Sequence, residues 1–417
     1  MTPFSHIVRP VVFALIALLM PLRAGADPAE ELQERLERLR SVPYTSTTTE
    51  PVDTDDSGVG IYKQDLVCEG YNLYCPALGS DVMLMDMEGS VVHRWSCPDS
   101  EHGQWQHAIM LPNGDAVAIS NEPNYLMRLD WQSNVVWKRA IACHHDVVLS
   151  PDSTLYVIID EKFPYRGMLV RFPAVLELTL DGEEIDRWTA CEYLDDIKDA
   201  FETRSFLDTI LDGMLAEMSE DQALEKISRG WKASRLLDGS TVYDYFHMNT
   251  ISVLPETPVS QVDRRFGGGN WLICFKHVNQ IAVLDRDTKE ILWVWGEGKL
   301  EWPHHPTMLE NGNILIFDNG SKRKFSKVIE LDPLSRTVEW EYVGDPPEKF
   351  YSHSRGSAQR LPNGNTLMCE GDKGRAFEVT KDGEIVWEWV NPETVKGRRT
   401  QVYRMMRLLP EEVDPSW

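Results

Sequence analysis

The chain has 417 residues, 42 Lys and Arg against 66 Asp and Glu, and a formal net charge of -24. A surface of that sign repels phosphate backbones, which argues against nucleic acid as a partner, and any anionic small molecule must be held by a local cluster of positive groups. The length allows one large domain or two or three small ones, and a sizeable core in either case.

At the N-terminus Arg9 precedes an apolar run from Val11 to Leu22 and then Ala24-Gly25-Ala26. This pattern predicts a secretory signal peptide over residues 1–26, cut after Ala26. Its loss would remove Arg9 and Arg23 and no acid. The run is shorter than the roughly 20 apolar residues of a membrane helix, and no later stretch approaches that length. The expected product is exported, periplasmic or secreted, and not membrane-embedded. Residues 27–57 read as an amphipathic helix with Leu32, Leu36 and Leu39 on one face, followed by an acidic, Thr-rich linker. Seven cysteines are an odd number for an oxidising compartment, so at least one stays free or pairs between chains. Cys68 and Cys75, in "CEGYNLYC", are the best-placed pair.

From residue 58 to 417 the chain repeats itself. "MLPNGDAVAIS" at Leu111, "LSPDSTLYVII" at Leu149, "VLPETP" at Leu254, "MLENGNILIF" at Leu309, "RLPNGNTLMC" at Leu361 and "LLPEEV" at Leu409 each mark a turn, and four lead into an apolar or alternating run. A strand, a turn and a second strand are the reading. Between them lie "MDMEGSVVHRW", "LTLDGEEIDRW", "LDRDTKEILWVW", "LDPLSRTVEWEY" and "VTKDGEIVWEW", a second hairpin whose outgoing strand ends in tryptophan. Two hairpins per unit, with units of about 50 residues, predict an all-β fold, a six-bladed β-propeller. A β-sandwich does not require the same tryptophan register in every unit. The last blade is expected to close the ring with a strand from "GVGIYKQDLVCEGYNLYCP". The interval from Leu149 to Leu254 is about twice the unit. Its excess, about 193–244, has a helical period with Phe206, Ile210 and Met214 on one face, which predicts a helical insertion on one rim.

The first strand of a propeller blade lies nearest the axis, and its first residue faces the channel mouth. Counting back four positions from each turn leucine gives His107, His145, Thr250, His305, Ser357 and Met405. Three of these six are histidine in a chain with only 11. His144 and His304 sit one step earlier, and His247 lies three residues before Thr250. Strand alternation would turn only one of His304 and His305 toward the axis.

With these residues in view the chain resembles the bacterial arylsulfate sulfotransferases, six-bladed propeller enzymes of the periplasm. The likeness runs over most of residues 60 to 395 and rests on "CHHDVVLSPD", on "HMNT" followed by "NWLICFKHVNQIAVLD", on "HHPTMLENGNILIFDNG" and on "AQRLPNGNTLMCEGDKGRAFEVTKDGEIVWEWVNP". It implies a ping-pong transfer of a sulfuryl group from an aryl sulfate to a phenol through a sulfohistidine, without a 3′-phosphoadenosine sulfate donor. The nucleophile falls in "HHPTML", where the inner-strand register favours His305 over His304. The family's H-x-N element falls on His247 and Asn249, and its upstream histidine on His145 rather than His144. Lys276 stands where the family has an arginine for the sulfuryl oxygens, and "SHSRGS", residues 352–357, is the region nearest to a late-blade hydroxyl and lysine pair.

The chemistry fits those residue types. A neutral imidazole is a competent nucleophile, and sulfuryl transfer, like phosphoryl transfer, spreads charge over equatorial oxygens that cations and N–H donors stabilise. Lys276 and Asn249, with His304 and His144, are the candidate substrate ligands, and His247 and His145 the candidate acid and base beside His305. This chemistry requires neither metal nor diffusible cofactor. Two other classes compete: a non-catalytic propeller scaffold that binds proteins, and a metal-dependent oxygenase in which four imidazoles hold iron.

Overall fold

A computed structural model of the chain describes residues 48, 57–97, 104–121, 124–201, 234–235, 241–414 and 416–417. The expected signal peptide, the N-terminal helix with Leu32, Leu36 and Leu39, and the Phe206, Ile210 and Met214 face of the insertion lie outside the described residues. No helix among the described residues is long and apolar enough to cross a membrane.

Six antiparallel sheets stand around a common axis as the blades of a propeller. The inner strands, in ring order, are Val402–Leu408 of blade 1, Trp105–Met110 of blade 2, Cys143–Leu149 of blade 3, Met248–Val253 of blade 4, Pro303–Met308 of blade 5 and Ser357–Arg360 of blade 6. Each begins at the mouth where the helix Leu194–Phe201, the turn Lys276–Val278 and the loop before Ser357 also lie. Buried apolar side chains gather into six clusters, one between each pair of neighbouring blades.

The tryptophan register has a specific cause. Trp137, Trp340 and Trp387 sit on the outgoing strands of blades 2, 5 and 6, and each indole Nε1–H donates to a backbone carbonyl in the second hairpin of the next blade. The acceptors are Leu180 at 2.8 Å, Lys381 at 2.8 Å and Met87 at 2.9 Å. Each acceptor lies two residues before the glycine of "LDG", "KDG" or "MEG". Gly182, at φ +82°, is needed twice over, for its left-handed backbone and because a Cβ there would meet the Trp137 ring at 3.0 Å. Blade 2 lacks that glycine in its own second turn, "LDWQSN", and its Trp137 is the copy absent from the five sequence matches. These three indoles therefore dock their blades to the next, burying large apolar area while satisfying their one polar atom.

Ring closure uses both ends of the repeat region. Gly58–Tyr62 adds to blade 6 beside Ile385–Val390, as expected, while Val402–Leu408 becomes the inner strand of blade 1 beside Tyr71–Pro76. Arg407 and Glu378, 1 % and 0 % exposed, pair across the seam at 3.0 Å, and Arg407 Nε donates to Asn72 Oδ1 at 2.9 Å.

All seven cysteines are free thiols, which corrects the pairing expected of Cys68 and Cys75. Cys68 packs between blades 6 and 1 and Cys75 between blades 1 and 2, so the two sulfurs face different interfaces. The insertion in blade 3 is described at its ends. Thr154–Tyr165 and Met168–Thr179 extend beyond the blade, Thr241–Asp244 runs parallel to the second of them, and Leu194–Phe201 leans on blade 4, where Gln280 Nε2 donates to the Phe201 carbonyl at 3.4 Å.

Candidate active site

The inner strands do not enter the channel as regular strands. The register slips at Trp105/His107, around His144 to Asp146 opposite Val157/Ile159, at Met248/Thr250 and between His304 and Thr307. His145, His247 and His305 take positive φ values of 61°, 54° and 48°. Bulky residues adopt that region at a cost, and bulges with such a kink re-aim side chains. Strict alternation therefore fails at the mouth, and both His304 and His305 are buried around the axis, 2 % and 4 % exposed.

Two cations act on these rings. The ammonium of Lys276, 1 % exposed, acts on His145, His247 and His304. The guanidinium of Arg404 acts on His107 and His305. Hydrogen-bond partners fix the tautomers. His304 Nδ1–H donates to Asn319 Oδ1 at 2.7 Å and lies 3.0 Å from the Trp302 carbonyl, and its Nε2 is buried with no hydrogen-bond partner among the described residues. His305 Nδ1–H donates to the Ala358 carbonyl at 2.9 Å, which leaves the lone pair on Nε2. The Gln106 amide, oriented by the His145 backbone N–H on its Oε1, presents its Nε2 donor to His145 Nδ1 at 3.3 Å, so Nδ1 accepts, from Gln106 and from the Tyr403 hydroxyl at 3.0 Å, and Nε2 carries the proton. His247 Nδ1–H donates to Asp244 Oδ2 at 2.6 Å.

Burial, reinforced by neighbouring cations, keeps these imidazoles neutral. His145, His247 and His305 are held well below the ordinary histidine value, and His304 is pushed down to about 3 by burial and by Lys276. Burial also pushes Lys276 down to about 8, with its ammonium over the Trp302 ring at 4.4 Å. Burial works against the charge on Asp244, but His247 and Arg171 outweigh it and hold that carboxyl well below its usual range.

The remaining sequence candidates brace the cluster. Asn249 Nδ2 donates to the Pro303 carbonyl at 2.8 Å and its Oδ1 accepts from Thr250 Oγ1 at 3.2 Å, while Thr250 Oγ1 in turn accepts from the His305 backbone N–H at 2.9 Å. The H-x-N element thus holds the His304–His305 backbone from blade 4, with the Asn249 amide engaged there rather than pointing at open space. His144 Nε2 lies 2.9 Å from Asp160, Asp160 pairs with Arg171 at 3.1 Å and Arg171 with Asp244 at 3.3 Å, a chain of contacts that ends on the partner of His247. From residues 352–357 it is Arg355 that is buried beside the site, with Asp372 4.0 Å from its Nη1. Asn319 ties that loop to His304 by donating to the carbonyls of Ser352 and Arg355, both at 2.7 Å.

Counting along the strands did not find Asp146, Asp244, His277, Asn319, Arg355, Tyr403 or Arg404. Arg404 and Tyr403 lie one and two residues before Met405, where the count stopped. Among the described residues the one set with metal-ligand spacing is Asp244, His247 and His277, with candidate atoms within 4.8 Å of one another. It offers two imidazoles rather than four. The short Asp244–His247 hydrogen bond and the adjacent ammonium of Lys276 oppose a cation there.

Comparison with known proteins adds one firm result: residues 107–392 match the sequence model of the arylsulfotransferase (ASST) family. No curated protein matches the chain. Similar solved structures include a protein of unknown function from Bacteroides caccae, 12% identical with a TM-score of 0.49, the match covering 81% of this chain and 98% of that one. A Cps50 (Swd1) β-propeller domain of Myceliophteria thermophila is 10% identical with a TM-score of 0.42, covering 84% and 90%. Virginiamycin B lyase from Staphylococcus aureus is 9% identical with a TM-score of 0.40, covering 85% and 88%. At these identities none of them bears on the activity of this chain.

Proposed function

The chain belongs to the arylsulfotransferase family, and from that premise we propose that it moves a sulfuryl group from an aryl sulfate to a phenol by a ping-pong mechanism through a sulfohistidine on His305. The observation that carries this reading is the His305 tautomer: Nδ1–H is tied to the Ala358 carbonyl, and a lone pair is left on Nε2 of a neutral ring. Family membership supports small aryl substrates. The finer steps are our own.

In the first half-reaction the donor's aryl O–S bond breaks as the His305 Nε2–S bond forms, and the electron pair leaves on the phenolate oxygen. That oxygen takes a proton from the Lys276 ammonium. Lys276 suits the role because a pKa near 8 leaves it charged at neutral pH yet able to release its proton. The sulfated ring is cationic, and the Ala358 carbonyl on Nδ1–H offsets that charge. In the second half-reaction His247 removes the acceptor's proton through Nε2, Asp244 stabilises the imidazolium that forms, and that proton then passes through solvent to the Lys276 amine, which restores both groups. The phenol oxygen attacks sulfur and His305 leaves neutral. We also propose that the N-terminal leader exports the chain, which N-terminal sequencing of the mature protein checks. The reaction is tested by initial rates at varied donor and acceptor: parallel double-reciprocal lines are expected, and intersecting lines would exclude a free sulfated enzyme.

A further inference from the structure

One ionic crossing lies at the axis and has no part in the mechanism above. Arg404 enters from the inner strand that the C-terminal segment adds to blade 1, and Asp146 from the inner strand of blade 3. Arg404 Nη1 and Nη2 donate to Asp146 Oδ1 and Oδ2 at 2.8 and 3.3 Å. Asp146 Oδ2 also accepts from the Ile251 backbone N–H of blade 4 at 3.3 Å, and His107 of blade 2 lies 3.5 Å from both charged partners. Arg404 is 6 % exposed and Asp146 0 %.

Stability alone does not account for such a pair. Taking two charges out of water costs about as much as their attraction returns, so apolar residues of the same volume would fill the axis at least as well. The pairing is also incomplete. Arg404 Nε–H is buried with no hydrogen-bond partner among the described residues. A buried unpaired donor is expensive, and native structures keep few of them. Asp146 holds the Ile251 N–H next to Thr250, whose hydroxyl accepts the His305 N–H, so the ion pair lies beside His305, whose Nδ1–H is spent on the Ala358 carbonyl and whose Nε2 keeps its lone pair. On the His304 side the cation is Lys276, a point charge; on the His305 side it is a planar guanidinium locked in orientation by a carboxylate.

We propose that Arg404 is an anion-binding catalytic residue: fixed by Asp146, it receives sulfonate oxygens of the group that His305 accepts, through its Nε–H and the guanidinium edge beside it. The ligand class is a tetrahedral oxyanion, or the trigonal-bipyramidal state between donor oxygen and His305 nitrogen. Because Asp146 cancels the charge of Arg404, the pair supplies direction more than net attraction, and Lys276 supplies the attraction. The O–S bond that breaks and the N–S bond that forms are those given above; Arg404 exchanges no proton. The inference rests on His305 as the sulfuryl carrier.

The test has two readouts on the full chain. Orthovanadate binding is followed by tryptophan fluorescence, and sulfuryl capture by intact mass after rapid mixing with an aryl sulfate, for wild type, Arg404→Gln, Arg404→Lys and Asp146→Asn, each checked for a native melting transition. Arg404→Gln should weaken vanadate at least about ten-fold and slow capture by roughly 10²–10³-fold, the usual loss for one oriented donor. Arg404→Lys should recover part of the capture rate, and Asp146→Asn, which keeps the guanidinium but loosens it, should lose capture more than vanadate affinity. Should Arg404→Gln fail to fold, Arg404→Lys and Asp146→Asn carry the same comparison. Arg404 variants that bind vanadate and capture sulfuryl like wild type overturn the inference and leave the sulfotransferase reading standing. Arg404-dependent vanadate binding with no sulfuryl capture by wild type overturns the reaction and keeps Arg404 as an oxyanion ligand. Neither binding nor capture by wild type overturns both.

Discussion

Replacing Lys276 by methionine should make the protein more stable and nearly inactive, and the two effects have one cause. The ammonium is buried, and burial pushes it from its ordinary value of 10.5 down to about 8. A displacement of that size corresponds to roughly 3 kcal/mol of folding free energy lost by keeping the charge inside at neutral pH. The sign follows from proton counting. Between pH 8 and 10.5 the unfolded chain holds the lysine proton and the folded chain has released it, so wild-type stability rises with pH across that window. Below pH 8 both states are protonated and the full penalty applies. Urea unfolding of both proteins should therefore show Lys276→Met ahead by up to about 3 kcal/mol at pH 7, less whatever the lost contact with Trp302 contributes. The gap should close as pH rises toward 10.5. Activity moves the other way: loss of one charged donor from a transferring oxyanion costs about 10²–10³ in rate, and wild-type turnover should fall as pH rises through about 8. A stability gap that ignores pH, or a methionine variant that turns over at the wild-type rate, would refute the argument.

Three further outcomes are expected. Asp244→Asn should slow transfer from the sulfated enzyme to phenol by at least about ten-fold while leaving the donor burst near wild type, because only the base role of His247 needs the carboxylate; single-turnover kinetics separate the two halves. Thr250→Val removes the acceptor of the His305 N–H, so kcat should drop by roughly ten-fold, the cost of one unmade buried hydrogen bond, with KM little changed. Glu378→Gln should destabilise the ring by about 3–5 kcal/mol by leaving Arg407 charged and buried across the closure seam, and the double change with Arg407→Met should recover much of it; chemical unfolding of the single and double variants reads this directly.

The propeller was legible because its punctuation is chemical. The "LPNG" and "DG" turns need glycine or its equivalents for backbone reasons, and in blades 2, 5 and 6 the indole that follows the second turn reaches a carbonyl at a fixed place in the next blade. Both constraints leave marks at regular intervals. The inner-strand count found His107, His145 and His305 for the same reason. What it missed has a physical explanation too. Alternation holds only while the strand is extended, and left-handed φ values at His145, His247 and His305 break it. His304 therefore remains in the site although the rule would have turned it away. Arg404 escaped because blade 1 takes its inner strand from the far end of the chain and begins it at Val402, three residues before Met405. Asn249 was found as a site residue, but its partner could not be read from sequence. Its amide donates to the Pro303 carbonyl of the next blade, a contact that no local pattern announces. Asp146 sat beside His145 in "HHD" and gave no sign of a partner 258 residues away.

The claim on which the account rests is that His305, not His304, carries the sulfuryl group. Brief mixing with a chromogenic aryl sulfate, followed by intact mass and peptide mapping under conditions that preserve the N–S bond, tests it on wild type, His305→Ala and His304→Ala. The account predicts a sulfuryl increment on wild type that maps to His305, vanishes when phenol is added, is absent from His305→Ala and still forms, more slowly, in His304→Ala. An increment that survives in His305→Ala and is lost in His304→Ala would contradict it.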